Sequence, residues 1–530
     1  MNTMRKLPIG IQDFEYLRTD NCLYVDKTEF IYKLLQHGKP YFLGRPRRFG
    51  KSLFISTLKA YFEGKKELFE GLKIAELEKE WVKYPVIYLD FNKSNYDSAE
   101  TLELALDEML KKYEKMYDMQ DIAAKASFRF DNLIAEMHKK TGQKVVVLVD
   151  EYDKSLVNTM HKPDVNENIR DILKGFYGVL KGADAHLRFV FLTGVTKFSK
   201  VSIFSDLNQL IDISLHENFA EICGISEDEL LQNFQPEIQA LANRRNLTYE
   251  QAFAELKRRY DGYHFAKKSA DMYNPFSVLN TFANLDFAYY WFATGTPTFL
   301  AKALRNQNYD IRKFNNDVLI DEPSIMDYRV ENQNLIPLLY QTGYLTIKSY
   351  EDNLYILGFP NEEVKYGFLK ELLPAFALTP IATGNFSVVE FMQKIRNGDI
   401  EGFMTSLKAF FAAIPYDAIE QKHRDEQYYQ HVFYLLFTLI GEFVQTEVKN
   451  NKGRADAVVK TADSIYVFEF KIDDSLSCEK GRGAATAEDA LAQINSKDYA
   501  IPYTADHRKI VKIGVEFSQK EKGVKRWLIE

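Results

Sequence analysis

Short runs of β-branched and aromatic residues alternate with longer amphipathic stretches from about Tyr41 to Leu192: Tyr41-Phe42-Leu43, Val86 to Leu89, Val145 to Val149 and Phe189 to Leu192. Short apolar runs separated by helical spacing are the pattern of strands buried on both faces, so this stretch predicts an α/β unit with a parallel sheet. From about Ser226 to Leu373 the apolar positions take a mostly helical spacing, broken by aromatic turns such as Tyr260-Asp261-Gly262-Tyr263 and Tyr273-Asn274-Pro275-Phe276. It reads as a helical lid or connector. A long apolar helix around Gln427 to Ile440 leads into strand runs near Phe443 to Lys449, Ala455 to Lys460 and Ile465 to Ile472, then a helix over Ala484 to Ile494 and a strand over Ile510 to Phe517. That order, α-β-β-β-α-β, predicts a second compact α/β domain. The expected boundaries are 1–225, 226–373 and 374–530, with the last core over about 424–530.

Composition narrows the class. The 530 residues are 46% apolar, 14% aromatic and 27% charged, which excludes disordered, collagen-like and low-complexity chains and suits about three folding units. A formal charge of −7 gives no general attraction for nucleic acid, so such binding needs a local basic patch. Cys22, Cys223 and Cys478 are far apart and form no CxxC pair, which argues against a disulfide scaffold or structural zinc and for a reducing cytoplasm. The N-terminus lacks the apolar core of a signal peptide, and no run of roughly 18 apolar residues occurs, so export and membrane spanning are not expected.

The segment Gly44-Arg45-Pro46-Arg47-Arg48-Phe49-Gly50-Lys51-Ser52 follows a strand and opens a helix, the setting in which backbone N–H groups and a helix dipole converge on phosphate. Lys51 would reach the β- and γ-phosphates and Ser52 would offer its hydroxyl to Mg²⁺. Five residues separate the two glycines, one more than the usual four, so Arg45 stands where a glycine is expected. Taken alone, Gly-Lys-Ser is equally well an ordinary helix start. Val145 to Val149 changes that, because this buried strand ends in Asp150-Glu151, and apolar packing does not explain paired acids there. The Asp would hold Mg²⁺ and the Glu would orient the attacking water, with Thr193 or Thr196 sensing the γ-phosphate. The strand Val86 to Leu89 lies between the two motifs, as in the ATPase branch whose Glu is the base. Arg45, Arg47 and Arg48 either clamp phosphate, or act as a finger on the transition state, or pair with surface acids.

Asp456 opens one strand run, and Glu469 and Lys471, two apart in the next, project to one face while Phe470 points into the other layer. Neighbouring Asp and Glu can share a divalent metal, and a Lys beside them can align water or stabilise phosphate charge, which is the composition of a phosphodiester-cleaving site. Glu426 and Gln430 on the preceding helix, Glu447 in the first strand and Gln493 on the following helix would complete it. A structural Glu–Lys pair at a strand edge is the alternative. Arg508, Lys509, Lys512, Lys520, Lys522, Lys525 and Arg526 offer a basic patch near that cleft, or equally a solvated edge balanced by Glu516, Glu521 and Glu530.

The stretches Leu7-Pro8-Ile9-Gly10, Tyr24-Val25-Asp26-Lys27-Thr28, Arg45 to Ser52, Val149-Asp150-Glu151-Tyr152-Asp153, Phe204-Ser205-Asp206-Leu207-Asn208, Tyr273 to Ser277, Gln341-Thr342-Gly343-Tyr344-Leu345, Gly453-Arg454-Ala455-Asp456 and Phe468-Glu469-Phe470-Lys471 together resemble a family. It is that of prokaryotic proteins with an N-terminal AAA-ATPase-like domain and a C-terminal PD-(D/E)XK nuclease-superfamily domain. The resemblance implies a P-loop NTPase with a parallel sheet, a helical middle and a restriction-endonuclease-like α/β domain. It implies Lys51, Ser52, Asp150 and Glu151 for Mg-ATP, and Asp456, Glu469 and Lys471 for metal-dependent nuclease chemistry. The Arg in place of the loop glycine looks like a family feature. A homo-oligomer is compatible with an AAA-like domain, although no residue identifies a finger acting in trans. The combined expectation is an ATP-binding and ATP-hydrolysing protein whose nucleotide state controls a Mg²⁺-dependent nuclease acting on nucleic acid, DNA ahead of RNA. The alternatives are a nucleotide-switched binding or signalling module with a non-cleaving nuclease fold, and a constitutive nuclease with an inert loop.

Overall fold

A computed structural model of the chain describes residues 6–38, 40–119, 125–160, 162–197, 209–294, 298–307, 309–327, 334–377, 381–413, 426–441, 445–448, 455–473, 485–518 and 523–530. The apolar runs of the first part form strands β1 (Pro40–Gly44), β2 (Val86–Asp90), β3 (Val145–Asp150), β4 (Leu187–Gly194) and β5 (Ile211–Asp212), all parallel, in the order β2-β3-β4-β1-β5. Every residue of β3 is buried, because helices cover both faces of a parallel sheet. Local chemistry sets the crossovers: a Ser98–Thr101 capping box starts the helix Ala99–Met116, and left-handed Gly142 ends Ala126–Thr141. Val86–Asp90, which lies between the two motifs in sequence as expected, is the edge strand β2, and β4 separates β1 from β3 in space.

The chain divides into two compact units, one comprising Met1–Thr294 and Phe314–Val364, the other Gly295–Lys313 and Lys365–Glu530. Of the expected helical middle, 226–373, residues 226–294 and 314–364 fall in the first unit and the rest in the second. Its helices Gln235–Arg245, Tyr249–Tyr260 and Pro275–Asn284 close a core around Leu241, Leu256 and Phe282 that takes in Leu7, Leu23 and Val25 from the chain start. The stretch is mainly helical, as its spacing implies, with short strands between the helices. After the two-residue strands β6 (Ile225–Ser226) and β7 (Met272–Tyr273) comes an antiparallel sheet of β8 (Val318–Asp321), β9 (Thr346–Glu351) and β10 (Leu354–Gly358). Asp352 and Asn353 between β9 and β10 both have positive φ, 50° and 63°, as a two-residue hairpin turn twisted with its strands demands.

The second unit holds the sheet β11 (Gln445–Val448), β12 (Ala457–Lys460), β13 (Ser464–Asp473), β14 (Lys509–Ser518) and β15 (Gly523–Ile529), paired in that order. Only β13 and β14 are parallel, joined through the helix Ala487–Ser496. The α-β-β-β-α-β order is present with β15 added, a strand concealed by its Lys and Arg. One face packs on the helices Ile400–Ala412 and Glu426–Ile440 through ring contacts such as Phe403–Phe468 at 5.9 Å and Phe437–Phe468 at 5.0 Å. Ala487–Ser496 lies on the other so closely that a Cβ on Gly514 would stand 2.5 Å from the Ala487 carbonyl oxygen. Among the described residues no helix is long and apolar enough to cross a membrane. Cys22 and Cys223 are buried and free, and Cys478 lies outside the described residues.

Candidate functional site

The loop from Arg45 to Gly50 joins β1 to the helix Lys51–Phe62. Arg48 (φ 65°) and Gly50 (φ 98°) are left-handed, so the chain curls over a helix N-terminus whose free N–H groups and dipole favour an anion. Neighbouring segments hold the loop: the Trp291 indole donates to the Arg47 carbonyl at 3.0 Å and the Gly224 amide to the Phe49 carbonyl at 3.1 Å. A Cβ on Gly343 would lie 2.7 Å from the Cβ of Pro46, and Gly343 is itself left-handed at φ 89°. Gly343→Ala is therefore expected to destabilise the protein by about 2–4 kcal/mol and to weaken phosphate binding, read by urea unfolding and nucleotide titration.

Lys51 is 3% exposed; its Nζ donates to the Arg45 and Pro46 carbonyls at 3.0 and 3.1 Å and lies 3.1 Å from Glu151 Oε1. Asp150, the last residue of β3, accepts from the Thr193 hydroxyl at 2.7 Å, from Asn92 Nδ2 at 3.3 Å and from the Ser52 hydroxyl. Burial first, then the adjacent Glu151, push its pKa up to about 6, a bias that a divalent cation would reverse. Glu151 is left-handed at φ 54° and turns the chain sharply off the strand. The Tyr152 amide then bonds the Thr193 carbonyl at 2.9 Å, and buried Asp153 accepts from the Val195 and Thr196 amides and the Thr196 hydroxyl. Thr193 thus stands beside Asp150, whereas the hydroxyl of Thr196 is committed to Asp153.

Arg47, Arg48, Lys51, Ser52, Asn92, Glu151 and Lys154 line one end of a cavity of about 420 Å³, closed by the segment Pro8 to Gln12 and by Pro275, Phe276 and Asn280. The reading of Arg45 as a phosphate clamp is corrected. Its guanidinium is buried beneath the loop, bonded to the carbonyls of Gly44, Ser214, Phe219 and Ala220 and stacked 4.2 Å above the Phe265 ring. Arg48 lies over the Phe276 ring at 4.9 Å. A narrower apolar hollow of about 90 Å³, lined by Tyr24, Val25, Phe49, Cys223 and Phe234, shares Pro8, Gly50 and Pro275 with the cavity wall.

Trp291 is fixed by Glu363, whose buried carboxylate accepts its amide and the Ser277 hydroxyl, each at 2.7 Å. Burial pushes the Glu363 pKa from the ordinary 4.5 up to about 7. A raised folded-state value means that its contribution is whole below the ordinary value and is lost as pH rises through about 7. The stability difference between wild type and Glu363→Gln is accordingly expected to shift toward the variant between about pH 5 and pH 8, as urea titration at both values would show.

In the second unit, β12 and β13 run antiparallel with Ala457 against Phe468, which sets Asp456 opposite Glu469. Lys471 falls on that same face. Asp456 accepts from the Phe470 amide at 2.9 Å, while the Phe470 ring packs into the opposite layer. Glu469 is 3% exposed; one oxygen accepts from Gln493 Nε2, and the other, Oε2, has no hydrogen-bond partner among the described residues. Burial first and Asp456 second push its pKa up to about 7. Gln493 Oε1 takes the Lys471 ammonium at 2.5 Å, and that ammonium lies 3.6 Å from Glu469 Oε1, so one amide orients both charges. Glu426 begins the helix Glu426–Ile440 and Glu447 lies in β11, but their side chains, like that of Gln430, fall outside the described residues. Among the described residues no group of three His, Cys, Asp or Glu side chains gathers for a metal.

Among the described residues of the expected basic patch, Lys512 pairs with Glu530 and Lys525 with Glu516, two of the acids named for the balanced-edge alternative, while Arg508 pairs with Asp506 and Arg526 with Glu488. Lys520, Glu521 and Lys522 lie outside the described residues.

Residues 8–204 match the AAA-ATPase-like family, described as a predicted AAA-ATPase, and residues 424–527 match the PD-(D/E)XK nuclease superfamily. Over 536 aligned residues the chain is 36% identical to an "uncharacterized protein in vnfD 5′ region" of Azotobacter chroococcum mcd 1, covering 99% of each. The chain belongs to the AAA-ATPase-like family with a C-terminal PD-(D/E)XK domain. The Aeropyrum pernix ORC1 protein, solved in complex with DNA, is similar over 64% of this chain and 90% of its own at 10% identity and a TM-score of 0.23, too slight a likeness to carry anything across.

In this AAA-ATPase-like protein the cavity also draws on residues to which sequence context alone assigns no chemistry: Asn92, Lys154, Asn280 and the Pro8–Gln12 segment. Leu7 to Gly10 and Tyr273 to Ser277 stand out in the sequence only as stretches shared with the family. The Phe204 to Asn208 stretch and Gly453-Arg454 lie outside the described residues.

Proposed function

We propose that the protein binds and hydrolyses ATP in the first unit and that its nucleotide state governs a metal-dependent nuclease in the second, acting on nucleic acid, with DNA the first substrate to test. The observation carrying the nuclease half is the buried oxygen of Glu469 that has no hydrogen-bond partner among the described residues, directly across from Asp456. A lone buried carboxylate oxygen costs free energy unless a ligand completes it, and a divalent cation suits two carboxylates on one sheet face. Asp456 and Glu469 would hold that cation, which when bound acidifies a water and offsets phosphate charge. Lys471, steadied by the Gln493 amide, would place its ammonium beside the scissile phosphate, and Gln493 would keep Glu469 turned toward Asp456.

In the ATPase half the chain's residues divide the work. The loop N–H groups and Lys51 take the phosphates once Lys51 exchanges Glu151 for them, Ser52 and Asp150 suit the magnesium of Mg-ATP, and Glu151 orients water. The apolar hollow beside the loop suits a nucleobase. The experiment is cleavage of plasmid, linear and single-stranded DNA, and of RNA, by the full chain with Mg²⁺ or Mn²⁺. The expected result is cutting that chelation abolishes. A folded, ATP-binding chain that cuts none of them would contradict the nuclease assignment and leave the second domain as a nucleotide-switched binding module.

A further inference from the structure

We propose that Lys154 contacts the terminal phosphoryl group of bound ATP, so that the chain carrying the phosphate loop supplies its own transition-state cation and needs none from a second copy. The inference rests on the ATP reading above and adds a residue to that site. Among the described residues four basic groups line the cavity: Arg47, Arg48, Lys51 and Lys154. Lys51 is paired with Glu151, and Arg48 rests on the Phe276 ring at the wall formed by the helix Pro275–Asn284. Lys154 is half-buried, and among the described residues its ammonium makes no ion pair. A cation in the wall of an anion-binding cavity attracts a polyphosphate that enters it, and a charge-assisted hydrogen bond to phosphate is among the stronger ones.

Its place is fixed by the turn after β3. The Lys154 amide donates to the Glu151 carbonyl at 3.0 Å, and Asp153 between them is bound to the backbone of Val195 and Thr196. A Cβ on Gly194 would stand 2.6 Å from Asp153 Oδ1, so this turn and the end of β4 are packed without slack. Lys154 therefore comes from the strand end that carries Glu151, the side from which water would attack, whereas Lys51 comes from the phosphate loop. A cation on the water side meets only the γ-phosphoryl group, and charge there counts most as the bond to the leaving oxygen breaks.

The geometry predicts a split between nucleotides. Affinities of the full chain for ADP and for a non-hydrolysable ATP analogue would be measured calorimetrically for wild type, Lys154→Ala, Lys154→Arg and Lys51→Ala, with turnover followed over a wide dilution series. Expected are a loss of about tenfold or more for the triphosphate in Lys154→Ala with ADP within about twofold, recovery of most of that loss by Lys154→Arg, and turnover per chain independent of dilution. Equal losses for both nucleotides, or none for either, would overturn the assignment of Lys154 while leaving the ATP reading intact. Turnover that collapses on dilution would overturn the claim that the cation acts within one chain. A wild-type chain as silent toward both nucleotides as Lys51→Ala would overturn the ATP reading and this inference together.

Discussion

Asp456→Asn is expected to lower metal-dependent cleavage of nucleic acid by more than about 10²-fold while the protein still folds, the scale expected when a group stabilising developing charge is removed. The substitution is chosen because Asp456 has two roles. Its carboxylate accepts from the Phe470 amide at 2.9 Å, tying β13 to the start of β12, and its charge faces Glu469 across the ladder. Asn retains an oxygen for the amide but removes the charge, so a thermal midpoint within a few degrees of wild type, combined with lost cleavage, assigns the effect to metal chemistry. Asp456→Ala removes both and is expected to lose cleavage together with some stability, because a backbone donor is left without its acceptor. Cleavage by Asp456→Asn at the wild-type rate would show that Asp456 holds no metal.

Lys51→Met is expected to reduce ATP affinity by about 10²-fold or more and to abolish turnover. Each hydrogen bond to an ionised group is worth roughly 1.5–3 kcal/mol, and a phosphate-facing ammonium makes more than one. Met keeps most of the buried volume, so the loop retains its packing over β1. Lys51 holds Glu151 at 3.1 Å, and removing the ammonium leaves a carboxylate facing the cavity, where it repels phosphate further. Glu151→Gln is the informative contrast, because it should keep ATP binding while hydrolysis stops. Equal ATP affinity of Lys51→Met and wild type would place nucleotide binding elsewhere.

Much of the fold and of both candidate sites is legible in the amino-acid sequence, for physical reasons. Val145 to Val149 is recognisable because a strand buried on both faces is apolar throughout, and for the same reason Asp150 and Glu151 at its end stand out. Glu469 and Lys471 are legible because strand periodicity places alternate residues on one face. Arg45 misleads because a charged loop residue beside a phosphate motif suggests a ligand; only the carbonyls of Ser214, Phe219 and Ala220, distant in sequence, reveal that its guanidinium supports the loop from beneath. The position of β4 between β1 and β3 is a matter of topology, which sequence adjacency does not encode. Strand β15 is hidden because Lys525 and Arg526 resemble a solvated tail until Glu516 and Glu488 are seen opposite them. The hairpin β9–β10 escapes notice because its turn, Asp352-Asn353, contains no glycine.

The central claim is that the nucleotide held by the phosphate loop governs a nuclease at Asp456, Glu469 and Lys471. The direct measurement is the rate of plasmid cleavage by the purified full chain in Mg²⁺ or Mn²⁺ with and without ATP, run beside Lys51→Met and Asp456→Asn. Expected is cutting that changes with ATP in wild type, ignores ATP in Lys51→Met and is lost in Asp456→Asn. Cutting by wild type at one rate with and without ATP, while ATP binds, would contradict it.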